Sequence, residues 1–194
     1  MFEKSNVVLA LVLVLTLTVF MSGMALAEEE TEEDLEIAEP LLITSAGQSP
    51  CYQLFNTILG QFDVEAALVD SLATVEDLEG HETLVVAIGG SGKGLGEAGI
   101  DPEDELERAT EVIEEARERE MDVIGVHTGQ MDRFGDISQL MIEGTIPLTD
   151  YTIVVDHEDF EDFFVNIAEE HEVPLEKVED RMGAGELFSE LMID

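Results

Sequence analysis

The stretch Thr83–Asp101, TLVVAIGGSGKGLGEAGID, constrains the fold more than any other part of the chain. A continuous apolar run, Leu84 to Ile88, ends in the glycines Gly89, Gly90, Gly92, Gly94, Gly96 and Gly99, with Lys93 as the cation among them. An uninterrupted run of this length is what a strand covered on both faces needs, because a parallel sheet sandwiched between helices has no polar side. The glycines predict a loop lined by backbone, and ligands of such sheets bind outside the carboxyl ends of the strands.

Other segments repeat the alternation. Leu41–Thr44 reads as a strand, and Ser45-Ala46-Gly47-Gln48-Ser49-Pro50 as the turn into a helix over about Pro50–Gln61, with Ser49 as its cap. Ala66–Val69 is a weak second strand, and Thr74-Val75-Glu76-Asp77 carries the cap of a short helix ended by Gly80. Asp101-Pro102 opens a helix in which Leu106, Ala109, Ile113 and Ala116 form the buried stripe, with Glu103, Asp104 and Glu105 at the positive end of its dipole. Asp122–His127 and Tyr151–Val155 supply a fourth and a fifth strand. Helices are expected over about Asp136–Glu143, around Phe160–Ile167, and over Gly185–Met192. Val173–Val178 is irregular or a short edge strand. The expected fold is a single three-layer α/β domain built on a parallel sheet of about five strands in a flavodoxin-like or Rossmann-like order, the flavodoxin-like one being 2-1-3-4-5. In that order the turn after strand 1 lies beside the glycine run at the switch point.

Residues 1–27 read as a cleaved signal peptide: Lys4 precedes the apolar run Val7–Phe20, and Ala25-Leu26-Ala27 fits a signal-peptidase site. No cysteine stands directly after that site, so no lipid anchor is indicated. If the peptide stays uncleaved, it is the one membrane-directed segment. Residues 28–39 are expected to be an acidic, solvated leader, and 40–194 the domain. The whole chain carries 46 acids against 8 Lys and Arg, a net charge of −38, and loss of Glu3 and Lys4 with the signal leaves that balance unchanged. A self-repelling charge of this size suits a salt-loving organism, where the Debye length shrinks to about 3 Å at 1 M. It disfavours nucleic acid, which is bound through clustered Lys and Arg. Cys51 is the only cysteine, so no internal disulfide forms.

Motifs exclude more than they assign. Gly94-x-Gly96-x-x-Gly99 matches a dinucleotide fingerprint by count, yet it stands five residues beyond the strand and no acid ends the next strand. A phosphate loop fails because Ala87 replaces its first glycine and Gly94 its hydroxyl. No cofactor, metal or catalytic residue is assigned. Cys51 could be a nucleophile and Asp156, His157 and Asp159 a metal site, but no base is paired with the first, and the second is an acid-rich loop in an acid-rich chain.

The motifs LLITSAGQSP, LATVEDLEG, TLVVAIGGSGKGLGEAGID, VIGVHTG and DYTIVVD, in this order, make Pro40–Leu191 similar to a family of secreted bacterial α/β proteins classified only as a domain of unknown function. HTGQMDRFGD carries fewer basic residues than the family's second turn, and Cys51 is not a family feature, which weighs against catalysis by this thiol. The resemblance implies secretion and fold and no established activity. The leading expectation is a non-enzymatic module that holds a small anionic solute with Ser45, Gln48, Ser49, Gly90, Ser91, Gly92, Lys93, Gly94, His127 and Arg133. The alternatives are a small extracytoplasmic hydrolase using Ser45, Cys51 or His127, and a structural or partner-binding protein.

Overall fold

The computed structural model describes residues 35–129, 135–155 and 161–193. The signal segment, most of the acidic leader, Arg133 and the Asp156–Asp159 stretch lie outside the described residues.

Strands β1 (Leu41–Ala46), β2 (Leu68–Val69), β3 (Thr83–Ile88), β4 (Asp122–His127), β5 (Tyr151–Val155) and β6 (Leu175–Val178) form one sheet in the order β2-β1-β3-β4-β5-β6. Every pairing is parallel. The sheet therefore has six strands where five were expected. The sixth, Leu175-Glu176-Lys177-Val178, escapes an apolar-run criterion because an edge strand keeps polar residues toward solvent; its Glu176 and Lys177 are exposed.

β1 and β3 are buried along their full length and run in register from Leu41↔Thr83 to Ala46↔Ile88. Their alternate side chains feed two cores. On one face Leu42, Ala46, Leu84, Val86 and Ile88 pack with helices α3 (Pro102–Glu118) and α4 (Asp136–Thr145), through Ala109, Val112, Ile113, Met141 and Ile142. Phe164 of α5 (Glu161–Glu170) joins this cluster. On the other face Leu41, Ile43, Val85, Ile124 and Ile153 meet α1 (Cys51–Leu59) and α6 (Arg181–Glu190). There Phe55 and Phe188 make an edge-to-face pair with ring centroids 5.5 Å apart.

Local chemistry sets the helix starts. Asp101 Oδ1 accepts the Asp104 N–H at 2.9 Å with Pro102 in the first turn, as the sequence dictates. The Thr74–Asp77 box closes with Asp77 Oδ2 accepting both the N–H and the hydroxyl of Thr74, over a 3-10 turn at Val75–Leu78. Two boundaries differ from expectation. The end of the acidic stretch belongs to the fold: Ile37 is fully buried, its N–H donates to Leu191 O, and its carbonyl accepts from Ile193. And Gly92–Ala98 is a helix, α2, where a loop reaching to Asp101 was expected. Ser91 caps it by accepting the Gly94 N–H at 3.1 Å, and Gly99 ends it in the left-handed conformation at φ 74°.

Candidate functional site

The order β2-β1-β3 puts the switch point between β1 and β3, so the β1–α1 turn and the β3–α2 turn leave the sheet side by side. They interlock through backbone. The Ser91 N–H donates to Gly47 O at 2.8 Å, and Gln48 pairs with Gly90 in an isolated antiparallel bridge. Gly47 sits at φ 103°, and a Cβ there would lie 2.5 Å from Gly89 O. A Cβ on Gly94 would lie 2.0 Å from Gln48 O. Gly94 thus serves close approach of α2 to the neighbouring turn.

This packing changes the role read into the glycine run. Its N–H groups do not line an open anion cradle: Gly89 donates to Ala46 O, Gly90 to Ser138 Oγ, Ser91 to Gly47 O, and Gly94 and Leu95 to Ser91. Those of Gly92 and Lys93 are the first of the seven-residue helix α2. The Lys93 side chain is 81% exposed and its Nζ lies 3.5 Å from Glu97 Oε1.

The turn after β1 is held from below by a pair that sequence reading passed over. Glu105 is fully buried on α3. Its Oε1 accepts the Gly47 N–H at 2.9 Å and Gln48 Nε2 at 3.0 Å, while both its oxygens take the Arg108 guanidinium, with Nε at 2.9 Å from Oε2 and Nη2 at 3.0 Å from Oε1. Arg108 donates onward to the carbonyls of Ala73 and Ser45. Gln48 spends its second amide proton on Ser71 O at 2.7 Å. One buried ion pair therefore fixes the ends of both β1 and the segment after β2. The signal was present in the sequence: Glu105 occupies an apolar-stripe position with Ala109, Val112 and Ala116, and an arginine follows at i+3.

The remaining expected residues separate. Ser45 is fully buried, and its hydroxyl has no hydrogen-bond partner among the described residues, so it offers nothing at the surface. Ser49 accepts the Cys51 N–H at 3.2 Å and donates to Cys51 Sγ at 2.8 Å, which places it two residues before the helix starts; Pro50 holds the cap position. His127 is buried against Phe164, ring centroids 4.8 Å apart, and its Nδ1 lies 2.9 Å from Ile88 O. Since a carbonyl only accepts, Nδ1 carries the proton and Nε2 is the basic nitrogen of the neutral ring. Burial pushes the His127 pKa below the ordinary histidine value, and the bond to Ile88 O opposes this in part. At the end of β4, Arg181 Nε donates to Thr128 O at 3.0 Å, a tie that no motif marks.

Three hollows open at this edge. A cleft of about 530 Å³ lies between the β1–α1 turn and α2, bordered by Gln48, Tyr52, Gln53, Ser71, Lys93 and Glu97. A second, of about 460 Å³, lies across α2 against Gly135–Ser138, with Ser91 and Lys93 common to both. Between them a cavity of about 20 Å³ is lined by Ser49, Cys51, His127 and Ser138, with Gly89–Ser91. Among the described residues no group of three or more His, Cys, Asp or Glu side chains is arranged to hold a metal ion.

No curated protein matches the chain. Among solved structures it is similar to AlinE4, an SGNH-hydrolase family esterase, at 14% identity and TM-score 0.33, over 72% of this chain and 75% of that one. It is also similar to the psychrotrophic esterase EstA from Pseudoalteromonas sp. at 10% identity and TM-score 0.31, over 72% and 78%. Likenesses at this level assign no chemistry. The pattern of the Domain of unknown function DUF6305 matches residues 38–192, nearly all of the described chain, and the protein belongs to that family.

Proposed function

We propose that this domain is a non-enzymatic binding module for a small polar solute at the carboxyl edge of its sheet. The reading rests on the cleft of about 530 Å³ beside the switch point, a volume in the range of small-ligand sites. The wall carrying Gln48 and Ser71 is tied by their mutual bond and by the Glu105–Arg108 pair beneath, which lowers the ordering a ligand must induce on that side. An anionic solute, the expectation from the glycine run, would rest on Lys93 among the described residues, and Lys93 already faces Glu97. A thermal-shift screen of metabolite carboxylates, phosphates and neutral solutes in molar salt tests the reading. Saturable stabilisation by at least one class is expected, and no response to any would reject it. We further propose that the protein acts outside the cytoplasmic membrane after loss of residues 1–27; mass spectrometry of the native product should find Glu28 at the N-terminus.

A hydrolase remains the second reading because Ser49, Cys51 and His127 line one small cavity. At about 20 Å³ that cavity takes roughly one water, so a substrate would require the edge to open. Ester hydrolysis abolished by both Cys51→Ala and His127→Asn would favour it over binding.

A further inference from the structure

We propose that the solute of the large cleft is an uncharged polyhydroxyl compound, a saccharide or polyol; this deepens the binding reading and rests on it. The argument is an inventory of hydrogen-bonding capacity. Gln48 uses both protons of its amide nitrogen on Ser71 O and Glu105 Oε1, so what it can offer the cleft is its carbonyl oxygen, an acceptor. Gln53 Nε2 donates one of its two protons to the Tyr52 hydroxyl at 2.9 Å, which leaves Tyr52 a proton to donate and Gln53 one N–H to donate and a carbonyl to accept. On the opposite wall Lys93 and Glu97 place an ammonium donor and a carboxylate acceptor 3.5 Å apart. Donors and acceptors therefore both line the cleft.

That mixture selects against charge. An anion placed against Lys93 also meets Glu97 and the Gln48 carbonyl, within a chain whose net charge is −38. A cation meets Lys93. Hydroxyl groups each donate one bond and accept others, and neighbouring hydroxyls of a sugar can bridge a donor–acceptor pair such as Lys93–Glu97. The half-buried Tyr52 ring and Leu72, which is 39% exposed, add apolar surface for the C–H faces of such a ligand. The buried Glu105–Arg108 pair keeps the first wall in place before the ligand arrives.

The test has two arms. In one, the 15N-labelled protein in molar KCl is titrated with free neutral mono- and disaccharides and polyols, with citrate and inorganic phosphate as comparators. In the other, the same protein is applied to an array of immobilised neutral oligosaccharides, which distinguishes a free sugar from a surface polysaccharide as the source. Saturable shifts of the Gln48 and Gln53 side-chain amides and of the Gly94 N–H are expected with a neutral ligand. Affinity should fall tenfold or more in both Glu97→Ala and Gln53→Ala, with unchanged thermal midpoints. Shifts there by citrate or phosphate alone would overturn the ligand class and leave the binding module standing. Silence from every probe in both arms would overturn both. Saccharide binding untouched by the two substitutions would overturn the site.

Discussion

The Glu105–Arg108 pair illustrates how a buried charge can hold a site turn. Desolvating two ions costs several kcal/mol, and the return here comes from shared hydrogen bonds: Glu105 takes a backbone N–H and a side-chain amide as well as the guanidinium, and Arg108 takes two carbonyls. Removing one partner strands the rest. Glu105→Leu should therefore lower stability by about 3–5 kcal/mol, read from urea unfolding in molar salt. Adding Arg108→Met should not restore it, because the Gly47 N–H and the carbonyls of Ser45 and Ala73 lose these partners, at about 1–3 kcal/mol for each group left buried and unpaired. A loss below about 1 kcal/mol for Glu105→Leu would show that other contacts hold the turn. The two central glycines of α2 make a matched contrast. Gly94→Ala forces a Cβ to 2.0 Å from Gln48 O, and overpacking of this kind costs about 1–3 kcal/mol. Gly96 meets nothing within 4 Å, so Gly96→Ala should stabilise the helix by about 0.5–1 kcal/mol. Equal effects from the two would contradict the interlocked turns.

At the scale of elements, β4 ends in a histidine whose titration the fold opposes. His127 packs on Phe164 of α5 and bonds to Ile88 O at the end of β3, and its pKa is lowered by burial. The unfolded chain then binds a proton more readily than the folded one. The neutral ring's contribution is complete above the ordinary histidine value of about 6.5 and is lost as pH falls from there toward the folded value. His127→Phe should flatten that part of the stability curve, measured by urea unfolding between pH 8 and 5; an unchanged slope would place the titration elsewhere. The same elements explain what could be read before the structure. β1, β3, β4 and β5 were legible because each is an apolar run between turn residues, and α3 because Asp101-Pro102 announces it. β6 was legible only as one of two alternatives, an irregular segment or a short edge strand over Val173–Val178, since Glu176 and Lys177 face solvent and leave no apolar run. α2 was hidden by the low helix propensity of Gly92, Gly94 and Gly96, which the Ser91 cap and packing on the β1–α1 turn override. Of the site, the switch-point turns were legible and the charges beneath them were not: periodicity marks a buried position, and an acid there is easily taken for one more solvated glutamate.

For the whole molecule the charge of −38 sets the conditions of folding. α3 shows the problem locally. Its exposed face repeats acids at one-turn spacing, with Glu103 and Glu107, Glu107 and Glu111, and Glu114 and Glu118 each four residues apart. Like charges so placed destabilise a helix by about 0.2–0.5 kcal/mol per pair. Few cations offset them: Arg119 pairs with Glu115 at 2.7 Å, and Arg117 reaches Asp150 only at 3.8 Å. The buried pair of Glu105 and Arg108 is shielded from salt, whereas the exposed acids are not. We propose a salt-loving organism as the source, and on that reading the thermal midpoint should climb steeply between dilute buffer and molar KCl. Screening must be separated from the general strengthening of apolar burial by excluded salts. The triple variant Glu107→Gln, Glu111→Gln, Glu114→Gln separates them: it removes repulsion without altering the core, so its midpoint should exceed the parent's in dilute buffer and rise less with KCl. If parent and variant gain equally from salt, the salt acts through burial rather than through these charges. A parent midpoint that stays flat from dilute buffer to molar KCl would reject the halophilic reading outright.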